Sequence, residues 1–520
     1  MSFRHVLRAM LYWPMRIYFN FINLIYEALF FFVSPRSVSR VEDERLLKPA
    51  TVLAQEIRRR ELLSEDLVQA CIDRVEEVDS LLNAVVQRRF AEALRRAREI
   101  DNAIAAGAAP PVSQAPFLGV PFTVKDCIFV EGEICTAGIP CRRSSRAPFT
   151  ANCIRWLREA GGILLAITNV SEVCMWMESV NTIYGRTSNP YDARRIVGGS
   201  SGGEGSLISA GGSIFGIGSD IGGSIRMPCF FNGIFGHKPS ASLCSDHGTY
   251  PGCYNYQKLM HSVGPMCRYA ADLFPMLQIL AGPNASRLKS PDQVDFSQVT
   301  FYYFEEIQSF AVESLHADLR QCLKEVVSLA ESEFGRPCER LDLPALHRAL
   351  PIWLNDMDAQ DSPSFTQLMS DQKSDLDPLA ELARFLIGRS EHTAAAILLG
   401  LFEKVTKSSK KPQEAARLTQ MRERLQQDLA KILGESGLLL VPSHATPAPY
   451  HTQPLWKCMN FIYTALFNSL CLPVTQVPLG LNSKGIPVGV QIVAPMNQDH
   501  MAIAFARVLE RKFGGWTNFK

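Results

Sequence analysis

The chain has 520 residues, 47% hydrophobic and 20% charged, the balance of a globular protein rather than a disordered or fibrous one. Its net charge of +1 provides no field for nucleic acid or an acidic partner. The 14 cysteines are scattered without a C-x-x-C pair, and no H-E-x-x-H occurs. This argues against a disulfide framework, a zinc site and a metal hydrolase, and no cofactor is expected.

The first 40 residues differ from the rest. From Leu11 to Val33 only Arg16, Asn20, Asn23 and Glu27 are strongly polar, and no small-residue cleavage site follows. Those four step by four, three and four, so they share one face of a helix. Ile17 to Val33 is short for a spanning segment. The segment reads as a tilted transmembrane anchor, a helix lying in the membrane interface, or an ordinary core helix. Membrane lipid is the expected partner. The apolar surface before Val33 has no evident core partner, so the segment is expected to be dispensable for chemistry.

Residues 48–520 read as one α/β body. Thr51–Leu63 and Ser64–Val78 carry helical periodicity, with Ser64 as N-cap, and 79–107 reads as a further helix. An Ala/Pro-rich stretch, 108–116, leads into a loop carrying Lys125. Short apolar runs at 162–167, 213–217 and 437–441 read as buried strands, and 473–480 with 486–494 as a hairpin over Asn482–Gly485. Interleaved with helices, these give a mixed central β-sheet covered on both faces. Residues 285–430 are helix-rich without a nameable motif, and Phe385–Val405 is notably apolar, reading as one helix.

The stretch 198–238 organises the chain. Gly and Ser crowd it, but Leu207, Ile208, Ile214, Phe215, Ile217, Ile221 and Ile225 thread it, which a flexible linker would lack. Gly at that density means backbone packed against backbone, with hydroxyls held on it. No Lys follows the glycines, so this is not a Walker-type phosphate cradle. G-x-S-x-G occurs around Ser200 and Ser201, but no buried strand precedes it, so it is not a nucleophile elbow. Two readings remain: a Gly-rich structural turn, or a serine whose base is not a histidine, with the Gly222 and Gly223 amides placed to receive an oxyanion.

Gly198-Gly-Ser200-Ser-Gly-Gly, Asp220-Ile-Gly-Gly-Ser224-Ile-Arg226-Met-Pro228 and Gly119-Val-Pro-Phe-Thr-Val-Lys125-Asp126 together resemble the amidase-signature family. Lys125 precedes Ser200 by 75 positions, and Ser224 follows Ser200 by 24. The resemblance covers roughly residues 50 to 515. Finer wording, such as Cys174-Met-Trp176 and Gly264-Pro-Met-Cys-Arg268, is similar to the family's fatty-acid amide hydrolases.

The resemblance implies a Ser–Ser–Lys relay and a fatty-acid amide substrate. Ser224 attacks, Ser200 bridges and Lys125 accepts the proton as a free amine, a form that burial beside Val120, Phe122 and Val124 favours. The Gly199–Ser200 peptide is expected to be cis. Amides of Ile221, Gly222, Gly223 and Ser224 would receive the oxyanion, and Cys174 would line the substrate side. Ser201 is expected to hydrogen-bond Lys125 or Ser200, with Asp220 and Arg226 as supports. His237 is set aside as a base, since the relay already has one. The resemblance also points to residues 285–430 as walls of an acyl channel and to an intracellular membrane, endoplasmic reticulum or lipid droplet. A homodimer is left open. The competing readings are a glutaminase subunit of an aminoacyl-tRNA amidotransferase and a catalytically silent lipid-binding scaffold.

Overall fold

A run such as Ile163–Thr168, buried at all its positions, has no solvent side toward which to alternate and so takes an interior place in a sheet. The computed structural model describes residues 3–358, 362–409 and 411–520, and in it eleven strands build one sheet. In chain order these are β1 (Val85–Arg88), β2 (Pro121–Lys125), β3 (Ile163–Thr168), β4 (Phe215–Asp220), β5 (Phe235–Lys238) and β6 (Ser262–Cys267). Then come β7 (Thr300–Tyr303), β8 (Glu339–Arg340), β9 (Gly437–Pro442), β10 (Val474–Leu481) and β11 (Pro487–Val493). Their spatial order is β1-β3-β2-β4-β6-β5-β10-β11-β9-β7-β8. β3, β2 and β4 run parallel, the pairs from β4 to β9 are antiparallel, and β9, β7 and β8 are parallel again. The sheet is mixed, as expected, and helices flank it.

Four local expectations need correction. Residues 79–107 are not one helix: Asn83, at φ +51°, ends the helix Ser64–Leu82 in a left-handed turn. The chain then pairs as β1 against β3 before the helix Phe90–Ala105 begins. Ser64 is not the N-cap, because its hydroxyl donates to the Gly119 carbonyl at 2.8 Å while Asp101 accepts from the Ser64 and Glu65 amides. The expected lysine loop is strand β2, buried throughout. Phe385–Val405 is two elements, the ends of helices Pro378–Leu386 and Ala394–Ser409, parted at Gly388 with φ +68°.

The N-terminal stretch forms the helix Phe3–Phe31, with Pro14 inside it. Among the described residues no helix is long and apolar enough to cross a membrane. Arg16, Asn20, Asn23 and Glu27 interrupt the apolar run. Nor is the segment without partners. Phe19, Ile22 and Tyr26 are buried, Arg16 pairs with Glu306, Asn23 donates to Glu313 at 3.0 Å, and Phe30 stacks on Tyr450. The opposite face, with Trp13, Ile17, Phe21 and Leu24, stays exposed. Residues 1–2 of the N-terminal segment, and 359–361 and 410 of the helix-rich region, lie outside the described residues.

Candidate active site

β2 ends on Lys125, with β3 and β4 on either side, so the lysine is fully buried at the centre of the parallel part of the sheet. Its Nζ donates to Ser200 Oγ at 2.7 Å and to Ser219 Oγ at 2.9 Å. The 75-residue spacing thus closes into one hydrogen bond. Ser200 lies just before the helix Gly202–Ser209, and its peptide bond to Gly199 is cis. A Cβ at Gly199 would collide with the Trp176 carbonyl, so only glycine fits there.

β4 runs into Asp220, and the turn 221–224 joins it to the helix Arg226–Phe231. Ser224 sits in that turn, 8% exposed, and its hydroxyl lines the same cavity as Ser200. The two hydroxyls are not hydrogen-bonded to each other here.

The turn presents its amides unevenly. Those of Ile221, Gly222 and Ser224 donate to no described acceptor, which leaves three N–H groups for an oxyanion. The Gly223 amide is committed, donating to Asp220 Oδ1 at 2.7 Å, so the fourth expected oxyanion donor is a structural one. Gly223 has φ +118°, and a Cβ there would strike the Thr464 side chain.

Asp220 and Arg226 form a two-pronged pair at 3.0 Å for each prong, with neither side chain exposed. Arg226 also donates to the Thr464 carbonyl, Gln491 and Asn468. Burial would raise the Asp220 carboxyl, but the adjacent guanidinium wins and holds it well below the usual carboxylate range. The pair shapes the turn that carries Ser224.

Ser201 does not meet its expectation. Its hydroxyl reaches the Ser219 carbonyl at 3.4 Å and neither Lys125 nor Ser200. Ser219, which sequence reasoning missed, holds the lysine instead. The available signal was its place: it immediately precedes Asp220 and, by strand alternation, points opposite to it. Cys127 Sγ lies 3.7 Å from Ser219 Oγ.

Two carboxyls are packed near Lys125. Burial pushes Glu204 up to about 8 despite hydrogen bonds from Thr168 and Thr123, and burial likewise pushes Asp126 up to about 8. His237 is fully buried on β5 between Thr475 and Asp499, at 2.8 and 3.0 Å, a structural role consistent with setting it aside. Among the described residues no group of three His, Cys, Asp or Glu side chains could hold a metal ion.

Two cavities meet at Ser224 and Ile221. One, of about 280 Å³, is walled by apolar side chains including Met227, Trp353, Leu399, Phe402 and Phe461. The other, of about 80 Å³, is lined by Ser200, Ser219, Gln257 and His261 among others. Cys174, at φ +53°, borders both.

A buried lysine hydrogen-bonded to one serine, a second serine lining the same cavity and open turn amides suit an amide-hydrolase site. The chain belongs to the amidase family, whose model, Amidase, matches residues 66–503. It is 45% identical over 480 residues to fatty-acid amide hydrolase 2-A of Danio rerio, covering 91% of this chain and 90% of that one. A glutamyl-tRNA(Gln) amidotransferase subunit from Oleidesulfovibrio alaskensis is more distant, 28% identical over 92% of this chain and 99% of its own. Among solved structures, a fatty acid amide hydrolase superposes with a TM-score of 0.70 at 20% identity, covering 91% of this chain and 86% of that one.

Proposed function

We propose that the chain hydrolyses long-chain fatty-acid amides to fatty acid and amine at a membrane surface. Ser224 is the nucleophile. Ser200 takes its proton and passes its own to Lys125, and the return path protonates the leaving amine. The Ile221, Gly222 and Ser224 amides receive the oxyanion, and water then releases the acyl group. The observation that carries the reading is the apolar cavity of about 280 Å³ opening on Ser224, with walls from residues 353–402 that serve as the acyl channel. The same lining disfavours glutamine, whose polar side chain would be stranded against Met, Trp and Phe.

Membrane lipid is the second partner. The exposed Trp13, Ile17, Phe21 and Leu24 step by four, four and three, one helix face, while Arg16 and Asn23 of the polar stripe bond to the body. We therefore favour a helix in the plane of an intracellular membrane, endoplasmic reticulum or lipid droplet. A substrate panel tests the activity: oleamide, oleoylethanolamide and glutamine. Turnover of the two lipid amides without glutaminase activity is expected; the reverse overturns the reading.

A further inference from the structure

Resting on the fatty-amide reading and deepening it, we propose that His261 selects the leaving amine, its imidazole receiving a hydroxyl on the amine's short substituent.

The larger apolar cavity takes the acyl chain, because a space of about 80 Å³ cannot hold one. The amine side of a substrate bound over Ser224 therefore points into the smaller cavity. His261 follows the short helix Gln257–Met260 at the start of β6 and is only 9% exposed there. Its Nδ1 is sealed off without a hydrogen-bond partner, so a ligand in the cavity meets the ring at Nε2, which also has no described partner. A buried polar atom left open is costly unless something fills the space beside it.

Several other polar side chains of that cavity are engaged. Tyr250 donates to Asp371 at 2.6 Å, and Thr249 to the Asp246 carbonyl at 2.8 Å. Gln257 accepts from the Tyr254 amide at 3.1 Å and donates to the Met357 carbonyl at 2.7 Å. Ser200 and Ser219 both accept from Lys125. Besides Ser224, His261 and the Tyr254 hydroxyl, which has no described partner, remain open, and of these two only His261 is nine-tenths buried.

Burial lowers the imidazole well below its ordinary range. The ring is therefore neutral, and its Nε2 can donate to or accept from a hydroxyl according to the tautomer while offering no charge to a carboxylate.

The test compares kcat/KM for the N-(2-hydroxyethyl) and N-propyl amides of oleic acid, which differ by one hydroxyl in place of a methyl. Each is measured with wild type, His261→Leu and His261→Gln. The wild type is expected to favour the hydroxyethyl amide by about tenfold, the worth of one hydrogen bond in a closed site. His261→Leu brings the ratio near one, and His261→Gln leaves an intermediate value. A ratio within one enzyme cancels partial loss of folded protein, and His261→Gln alone decides if the leucine variant does not fold. A wild-type ratio near one, or a ratio untouched by either substitution, overturns the inference alone. Failure of the wild type to turn over either amide overturns the fatty-amide reading and this inference with it.

Discussion

Lys125 Nζ and Ser200 Oγ lie 2.7 Å apart, with Lys125 fully buried and Ser200 1% exposed. The lysine's other hydrogen bond, to Ser219, fixes the direction in which its amine faces. Of its two hydroxyl partners, Ser200 is the one in the proposed proton path.

Removing the base should therefore cost more than loosening it. Lys125→Ala is expected to lower kcat by about 10³–10⁴-fold, and Ser200→Ala similarly, with the double variant little worse than either because the two act as a unit. Ser219→Ala should lower kcat by about tenfold with KM little changed. Steady-state kinetics on one soluble short-chain amide checks all four. Additive losses in the double variant would contradict a shared proton path.

The Asp220–Arg226 pair should govern stability as well as the turn. Asp220→Ala leaves a buried guanidinium unpaired and frees the Gly223 amide, so unfolding free energy should fall by about 3–5 kcal/mol. Asp220→Asn, which keeps acceptor and shape, should lose less. Urea unfolding of both variants provides the comparison.

The protonated carboxyl of Glu204 makes stability depend on pH. Its folded value of about 8 lies above the unfolded value near 4.3. Between these the folded state holds a proton that the unfolded state has released, so stability falls as pH rises, the loss being complete above about 8. Glu204→Gln removes this contribution. Chemical unfolding between pH 5 and 8 should show a shallower decline in the variant than in the wild type. Asp126 contributes in the same direction in both.

The N-terminal helix has two faces, and substituting one should leave the other at work. Ile17→Ser, Phe21→Ser and Leu24→Ser together alter only exposed side chains, whereas deletion of the helix would also uncover the surface that meets Phe19, Ile22 and Tyr26. The triple variant should bind phospholipid vesicles at least tenfold more weakly and keep its turnover of a short soluble amide. Vesicle flotation and a plate assay measure the two. Unweakened flotation would contradict the membrane-facing reading.

The reaction centre was legible in the sequence because its chemistry is tied to backbone: glycines that nothing else can replace, and serines fixed beside them. Burial of the aliphatic runs likewise marked β3 and β9 at once. Short strands next to polar residues were not legible. β1, Val85–Arg88, has a helix-like Ala/Arg context after it, and only its pairing with β3 reveals it. Side-chain commitments were hidden for a related reason. Nothing local shows that the Gly223 amide serves Asp220, or that Ser219 rather than Ser201 meets Lys125, since each contact depends on how a strand end faces its neighbour. The N-terminal stripe of polar residues was visible, but that Arg16 and Asn23 of it meet protein depended on Glu306 and Glu313, almost three hundred residues away.

Ser224 is the residue that carries the acyl group in this relay, and labelling with a fluorophosphonate probe followed by peptide mass mapping tests it. Modification is expected at Ser224, abolished by Ser224→Ala and strongly slowed by Lys125→Ala. Modification at Ser200, Ser201 or any other serine, persisting in Ser224→Ala, would contradict it.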